Sequence, residues 1–294
     1  MTTRFAIGDI TVHRIIEDEQ PLFDPFSFFP GLGAERLAEN RAWLEPTALD
    51  PATGKLVMCV QSYILRTPHY TILVDSCIGN HKSVPTIPEW HRKSDGNYMG
   101  ALAAAGLGVE DIDIVLCTHL HVDHVGWNTR LEDGRWVPTF PKARYLFSRR
   151  ELDHWLARHA EAPLGPIGES VVPILEAKRA DLVTNDHAID DLVRLEPTPG
   201  HTIDHMAVRV ASRGQQAVLS GDLIHSPLQA RYPEIAMRAD YDPAQAVATR
   251  RRFLECHCDT PTLVCTAHFP SPSCGHVTRW GDGFRLAEGA AASS

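Results

Sequence analysis

Between residues 117 and 126 the chain reads Cys-Thr-His-Leu-His-Val-Asp-His-Val-Gly, so His119, His121, Asp123 and His124 fall within six residues. Imidazole is the commonest protein metal ligand, and imidazole with carboxylate suits first-row divalent metals. In extended chain His119 and His121 point to the same side and can grip one cation. Asp123 and His124 follow after a turn and can face a second. A polar turn with incidental histidines is the competing reading, and it weakens if the rest of the chain completes a site.

Three later segments do so. Residues 196–202 are a strand end, a Pro/Gly turn and His201; residues 220–222 are a strand end, a glycine and Asp222; residues 265–268 are a strand end and His268. Each residue alone reads as a satisfied surface or core group. Together they give five histidines and two aspartates, enough for two cations with one carboxylate shared. Zinc is the expected metal, two per chain, with iron, manganese or cobalt as alternatives.

These residues need strands that end beside one another. Residues 112–117 read as a buried strand, and 56–66 with 70–74 as a hairpin, from their apolar, β-branched runs. Residues 4–16 alternate for a first strand. Residues 17–32 then break up, with Pro21, Pro25, Pro30 and four phenylalanines, Phe23, Phe26, Phe28 and Phe29. Further strands are expected over 143–147, 191–196, 206–210, 217–220 and, as the last core strand, 262–265. Helices are expected over 98–107, 149–160, 171–180 and 243–255, with residues 250–252 on the solvated face of the last. Residues 72–76 and 217–222 echo each other as strand-then-acid pairs. Strands, then helix, twice over, suggest two sheets with helices outside them.

The chain has 294 residues, 44% of them hydrophobic, and its Lys+Arg 28 against Asp+Glu 37 leave a net charge of −9. That composition belongs to a globular protein, and the acidic surface speaks against nucleic acid as a partner. The start has no apolar leader and no run approaches the ~18 apolar residues of a membrane span. The seven cysteines read as reduced thiols, and a cytoplasmic location follows as the expectation. Cys256-His257-Cys258 looks like half a zinc site without its other half, and reads better as a helix end. Residues 290–294 read as a frayed tail.

The ordered motifs resemble those of the metallo-β-lactamase-fold hydrolase superfamily, from Asp75 to His268. The resemblance implies an α/β (α+β) four-layer αββα sandwich, a single domain over 1–294, with residues 1–35 as a lid or dimer arm. It assigns His119, His121 and His201 to one metal, Asp123, His124 and His268 to the other, and Asp222 as the bridge. Asp75 then supports the histidine loop from behind, and His205 serves better behind a ligand than as one. An Asp at the bridge argues against antibiotic hydrolysis. Nuclease branches carry an extra domain or basic arm, and glyoxalase-II-like thioesterases a longer helical C-terminus, neither of which is evident.

What remains resembles the lactonase and methyl parathion hydrolase branch. The run Gly221-Asp222-Leu223-Ile224-His225, with Gln229 and Tyr241-Asp242-Pro243, is similar to the latter. His225 stands where many acyl-homoserine lactonases keep a tyrosine that donates to the oxyanion; His225 or Tyr232 is expected to take that role. The expected function is a dinuclear zinc hydrolase of a small-molecule lactone or carboxylic ester, working by a metal-bridging hydroxide, with Asp123 relaying the proton. The alternatives are a phosphotriesterase and, from another class, a mononuclear iron persulfide dioxygenase. The phenylalanine-rich segment reads as core or homodimer packing, or as a lid over an acyl or aryl group.

Overall fold

The computed structural model describes residues 4–287; the tail expected to fray at 290–294 lies outside the described residues. The described residues divide into two compact units, one of residues 4–17 with 60–187, the other of 18–59 with 188–287.

The first unit is built on a seven-stranded sheet in the order β1-β2-β3-β4-β5-β8-β9. Its strands are β1 (Arg4–Ile7), β2 (Ile10–Phe23), β3 (Leu56–Arg66), β4 (Thr71–Val74), β5 (Ile114–Leu116), β8 (Arg144–Ser148) and β9 (Ala180–Val183). Two short strands, β6 (Thr129–Glu132) and β7 (Arg135–Pro138), pair separately as a hairpin. The three-residue β5 lies between β4 and β8 and runs parallel to both. Flanked on both sides, it reads as the continuous Ile-Val-Leu run expected of a central strand. The helix Arg149–Glu161 packs against β8, and Ser148 caps it by accepting from the Glu151 amide at 3.2 Å.

The second unit carries a six-stranded sheet in chain order: β10 (Val193–Pro197), β11 (Met206–Ser212), β12 (Gln215–Leu219), β13 (Leu263–Cys265), β14 (Cys274–Trp280) and β15 (Gly283–Ala287). Only the β12–β13 pair is parallel, and the helix Pro243–His257 supplies the crossover between its strands. Ala207, Val218, Leu254, Val264 and Val277 bury their side chains together in this unit's core.

The structure departs from the sequence reading in several places. The first strand is two, β1 and β2, turned at Gly8-Asp9, and β2 continues through Pro21 to Phe23. Proline is tolerated near a strand end, where one lost amide costs little. Most of residues 4–23 are therefore sheet. The helix expected over 171–180 is Gly165–Ser170 and Val172–Glu176, followed by β9, because Pro173 restarts a helix and Lys178 reverses the chain at φ +55°. Two more strands follow β13. Arg250, expected on a solvated face, is 1% exposed and donates to the carbonyls of Leu223, Pro233 and Ile235 at 2.8–2.9 Å.

Two backbones meet closely where the histidine segment leaves β5. A Cβ on Gly126 would lie 1.8 Å from the Ile78 carbonyl oxygen and 2.6 Å from the Gly79 nitrogen. Gly126→Ala therefore forces backbone apart two residues after His124. The expected cost is about 3 kcal/mol or more, read as a large fall in Tm and in the urea midpoint; an unchanged Tm would contradict this account of the turn.

Candidate metal centre

Parallel neighbours end at the same level, and that places the first group of side chains. Val74 of β4 is opposite Leu116 of β5. Asp75 follows at φ +57°, a left-handed conformation that aspartate tolerates better than most residues. The Asp75 carboxylate accepts from the Thr118 amide at 2.7 Å, from the Thr118 hydroxyl at 2.9 Å and from His124 Nδ1 at 2.9 Å. The single Thr118 hydroxyl proton goes to that carboxylate, so at His119 Nδ1, 3.1 Å away, the hydroxyl oxygen accepts. Both His119 and His124 thus carry their proton on Nδ1 when neutral and present Nε2.

The one-turn helix Val122–Val125 begins directly after His121. The His119 ring lies 4.6 Å from the ring of His121 and 4.1 Å from that of His124, and His119 Nε2 is 3.0 Å from His121 Nδ1. Asp123 is half-buried, with Oδ1 3.9 Å from His124 Nε2. His119 and His124 are each 1% exposed.

The second unit repeats the device. Leu219 of β12 is opposite Cys265 of β13, and Asp222 and His268 each follow three residues on. Their side chains meet, His268 Nε2 lying 2.9 Å from Asp222 Oδ1. His201 sits in the turn between β10 and β11, with Nε2 3.4 Å from Asp222 Oδ2. Gly200 makes that turn at φ +132°, where a Cβ would come within 2.3 Å of the Ala246 nitrogen. His225 Nε2 is 3.2 Å from the same Oδ2. All four side chains are buried.

Here too the Nδ1 atoms are held from behind. His201 Nδ1 donates to Asp240 at 2.9 Å, His268 Nδ1 to the Cys59 carbonyl at 2.8 Å, and His225 Nδ1 to Gln229 Oε1 at 3.2 Å. Burial alone would lower the His201 pKa, but the adjoining Asp222 and Asp240 outweigh it and raise it to about 9. The Asp240 carboxyl is pulled below its usual range by His201, against the effect of its own burial. His225 is lowered, by burial first, with the Asp222 carboxylate opposing and His201 and His268 adding.

His205 is arranged the opposite way. Its Nε2 accepts the Asp222 amide at 3.0 Å and its Nδ1 meets the Thr198 hydroxyl at 2.8 Å, so neither nitrogen faces outward and the ring fixes the Asp222 backbone. Tyr232 offers a hydroxyl that accepts from Asn40 at 2.9 Å, and its ring lies between the Arg36 and Arg231 guanidinium groups. Of the phenylalanine segment, Phe28 and Phe29 are buried and Phe26 is 41% exposed; the Phe28 ring stacks on Phe23 and lies edge-on to His225 at 5.6 Å.

Sequence reasoning missed Asp240 and the Cys59 carbonyl. Asp240 follows an irregular stretch with no spacing that marks it, and a backbone acceptor leaves no trace in residue types. Thr118 was legible only as the neighbour of His119.

The donor set fits a divalent cation. Asp222 gathers three imidazole Nε2 atoms within 2.9–3.4 Å, and each of those rings already spends its Nδ1 proton elsewhere. Buried acceptors crowded in this way repel one another unless protons or cations lie between them. Two ligands on one zinc, at bonds of about 2.0–2.1 Å, sit about 3.3–3.4 Å apart at the tetrahedral angle. Ligand histidines held at the far nitrogen by a carboxylate or carbonyl are the usual arrangement around such ions.

The sequence model described as "Metallo-beta-lactamase superfamily" matches residues 60–268. Among solved structures, the hydrolase AbOPH in the beta lactamase superfamily aligns with a TM-score of 0.81 and 22% identity, over 97% of this chain and 96% of its own. AidC, a dizinc quorum-quenching lactonase solved with the product N-hexanoyl-L-homoserine, aligns with a TM-score of 0.77 and 20% identity, over 98% and 97%. A probable metal-dependent hydrolase from Staphylococcus aureus gives 0.75 and 18%, over 97% and 99%. The uncharacterized protein YobT of Bacillus subtilis (strain 168) is 29% identical over 130 residues, 43% of this chain; the match spans about half of that relative, 52% of its length. At these identities the structural likenesses speak for the fold.

Asp240→Asn keeps the side chain's shape but removes the charge facing His201 Nδ1. Zinc affinity, measured by chelator competition, is expected to fall about 10–100-fold with Tm followed in parallel. Unchanged affinity would mean that Asp240 does not hold His201 for a cation.

Proposed function

Because this chain belongs to the metallo-beta-lactamase superfamily, we propose that it is a dinuclear zinc hydrolase that cleaves a small-molecule lactone or carboxylic ester in the cytoplasm. The observation that carries the reading is the Asp222 carboxylate amid the Nε2 atoms of His201, His225 and His268. His119, His121 and His201 would hold one cation, Asp123, His124 and His268 the other, and Asp222 both. Iron, manganese or cobalt would suit the same donors.

Bound there, the cations would supply Lewis acidity and a water acidified toward neutral pH. The chain's own groups do the rest. Asp75, Asp240 and the Cys59 carbonyl orient the histidines through Nδ1. His205 anchors the Asp222 backbone through its amide. Asp123, half-buried beside the buried His124, has a carboxylate able to take a proton from the attacking water and return it to the leaving oxygen. The buried Phe28 ring beside His225 is apolar wall, which suits an acyl substituent better than a charged one.

The AidC likeness favours a lactone, since that enzyme is described as a lactonase with its acyl-homoserine product. The phosphotriesterase reading rests on the similarity of residues 221–243 to methyl parathion hydrolase. Among the described residues no helix is long and apolar enough to cross a membrane.

Two measurements test the proposal. Strong chelation should abolish hydrolysis, and zinc, cobalt or manganese should restore it; activity surviving complete metal removal would overturn the reading. On reconstituted protein, acyl-homoserine lactones and aryl esters assayed beside a paraoxon-type triester should give the higher kcat/KM. A preference for the triester would move the assignment to the phosphotriesterase, and oxygen consumption with a persulfide on one iron per chain to the dioxygenase.

A further inference from the structure

We propose that His225 is itself a cation ligand through Nε2, on the Oδ2 side of Asp222, rather than a hydrogen-bond donor to substrate. The inference rests on the reading above that Asp222 holds cations, and adds a residue to its shell.

Gln229 is fully buried. Its side-chain nitrogen donates to the Ile235 carbonyl at 3.0 Å, and a carbonyl can only accept. Its Oε1 accepts the His225 backbone amide at 2.8 Å. The amide orientation is therefore fixed at both ends, and the atom facing His225 Nδ1 is an acceptor. Nδ1 must carry the proton. A neutral imidazole has one proton, so Nε2 is a bare lone pair. A bare Nε2 cannot donate to a developing oxyanion, which removes the role expected from the sequence.

That lone pair faces Asp222 Oδ2 at 3.2 Å, and His201 Nε2 faces the same oxygen at 3.4 Å. Both separations are those of two ligands on one small cation. His268 approaches the other oxygen, Oδ1. His225 and His201 therefore share one side of the carboxylate, and their rings lie 4.9 Å apart. The His225 ring is also fixed in place. It stacks parallel to His268 at 5.6 Å, Phe28 lies edge-on to it, and only 1% of the residue is exposed. Gln229 is in turn steadied by Arg250, which donates to the same Ile235 carbonyl at 2.9 Å. Gln229 is thus a positioning residue: it selects the tautomer that offers a nitrogen to a metal.

The test is NMR on protein loaded with a spin-active cadmium isotope and carrying isotope-labelled histidine rings. Nε2 of His201, His268 and His225 should each be split by coupling to cadmium, and the His225 signal should report a proton on Nδ1 alone. In Gln229→Leu, which leaves the tautomer free, the His225 splitting should vanish while those of His201 and His268 remain, and cadmium affinity should fall about 10–100-fold. Splitting at His201 and His268 with none at His225 in the unmutated protein, or a proton on His225 Nε2, overturns this inference and leaves the proposed function standing. No splitting at any of the three overturns the reading of Asp222 and this inference with it.

Discussion

An imidazole serves a cation well when its far nitrogen is already committed, and this chain commits that nitrogen five times. Thr118 takes the Nδ1 proton of His119, Asp75 that of His124, Asp240 that of His201, Gln229 that of His225 and the Cys59 carbonyl that of His268. Each of these rings is buried. Burying so many imidazoles without partners would cost several kcal/mol, so the pins both stabilise the fold and decide which nitrogen is offered. His205, a sixth buried histidine, has both nitrogens engaged and fixes the Asp222 backbone instead.

The pins exist because of strand order. In each unit a parallel pair, β4 with β5 and β12 with β13, ends in register, so an acid just past one strand meets side chains just past its neighbour. Asp75 meets Thr118 and His124; Asp222 meets His268. The sequence echo between residues 72–76 and 217–222 corresponds to this shared geometry, although the two acids do different work. Asp75 receives protons from the loop it steadies, whereas Asp222 gathers the Nε2 atoms of three imidazoles. The carboxyl ends of parallel strands are where α/β folds present ligand sites, and here they bring acid and histidine together without a long loop.

Much of this was legible in the residues. The His-x-His-x-Asp-His run, and His201, Asp222 and His268 just past later strand ends, have identities and spacings that few other purposes require. Strands β4, β5, β12 and β13 were readable as short apolar runs. The features that escaped have physical reasons. Cys59 acts through its backbone, which any residue could supply. Asp240 stands in irregular chain, where no periodicity marks it. Arg250 looked like solvated surface on its helix because a sequence cannot show that three carbonyls wait beside it. The β6–β7 hairpin did leave a signal, Asp133-Gly134 at φ +49° and +77°, the pair a tight hairpin turn demands. His225 could be singled out by its position three residues after Asp222, but its tautomer depends on Gln229, and only the folded structure reveals which of the amide's two ends faces the ring.

The central claim is that Asp222 is the residue around which cations are held. Elemental analysis of Asp222→Ala, purified beside the unmutated protein from zinc-supplied cells, tests it most directly. The account predicts zinc in the unmutated protein and a marked loss of bound zinc in the variant, with circular dichroism showing both folded. A folded Asp222→Ala protein that keeps its full complement of metal would contradict it.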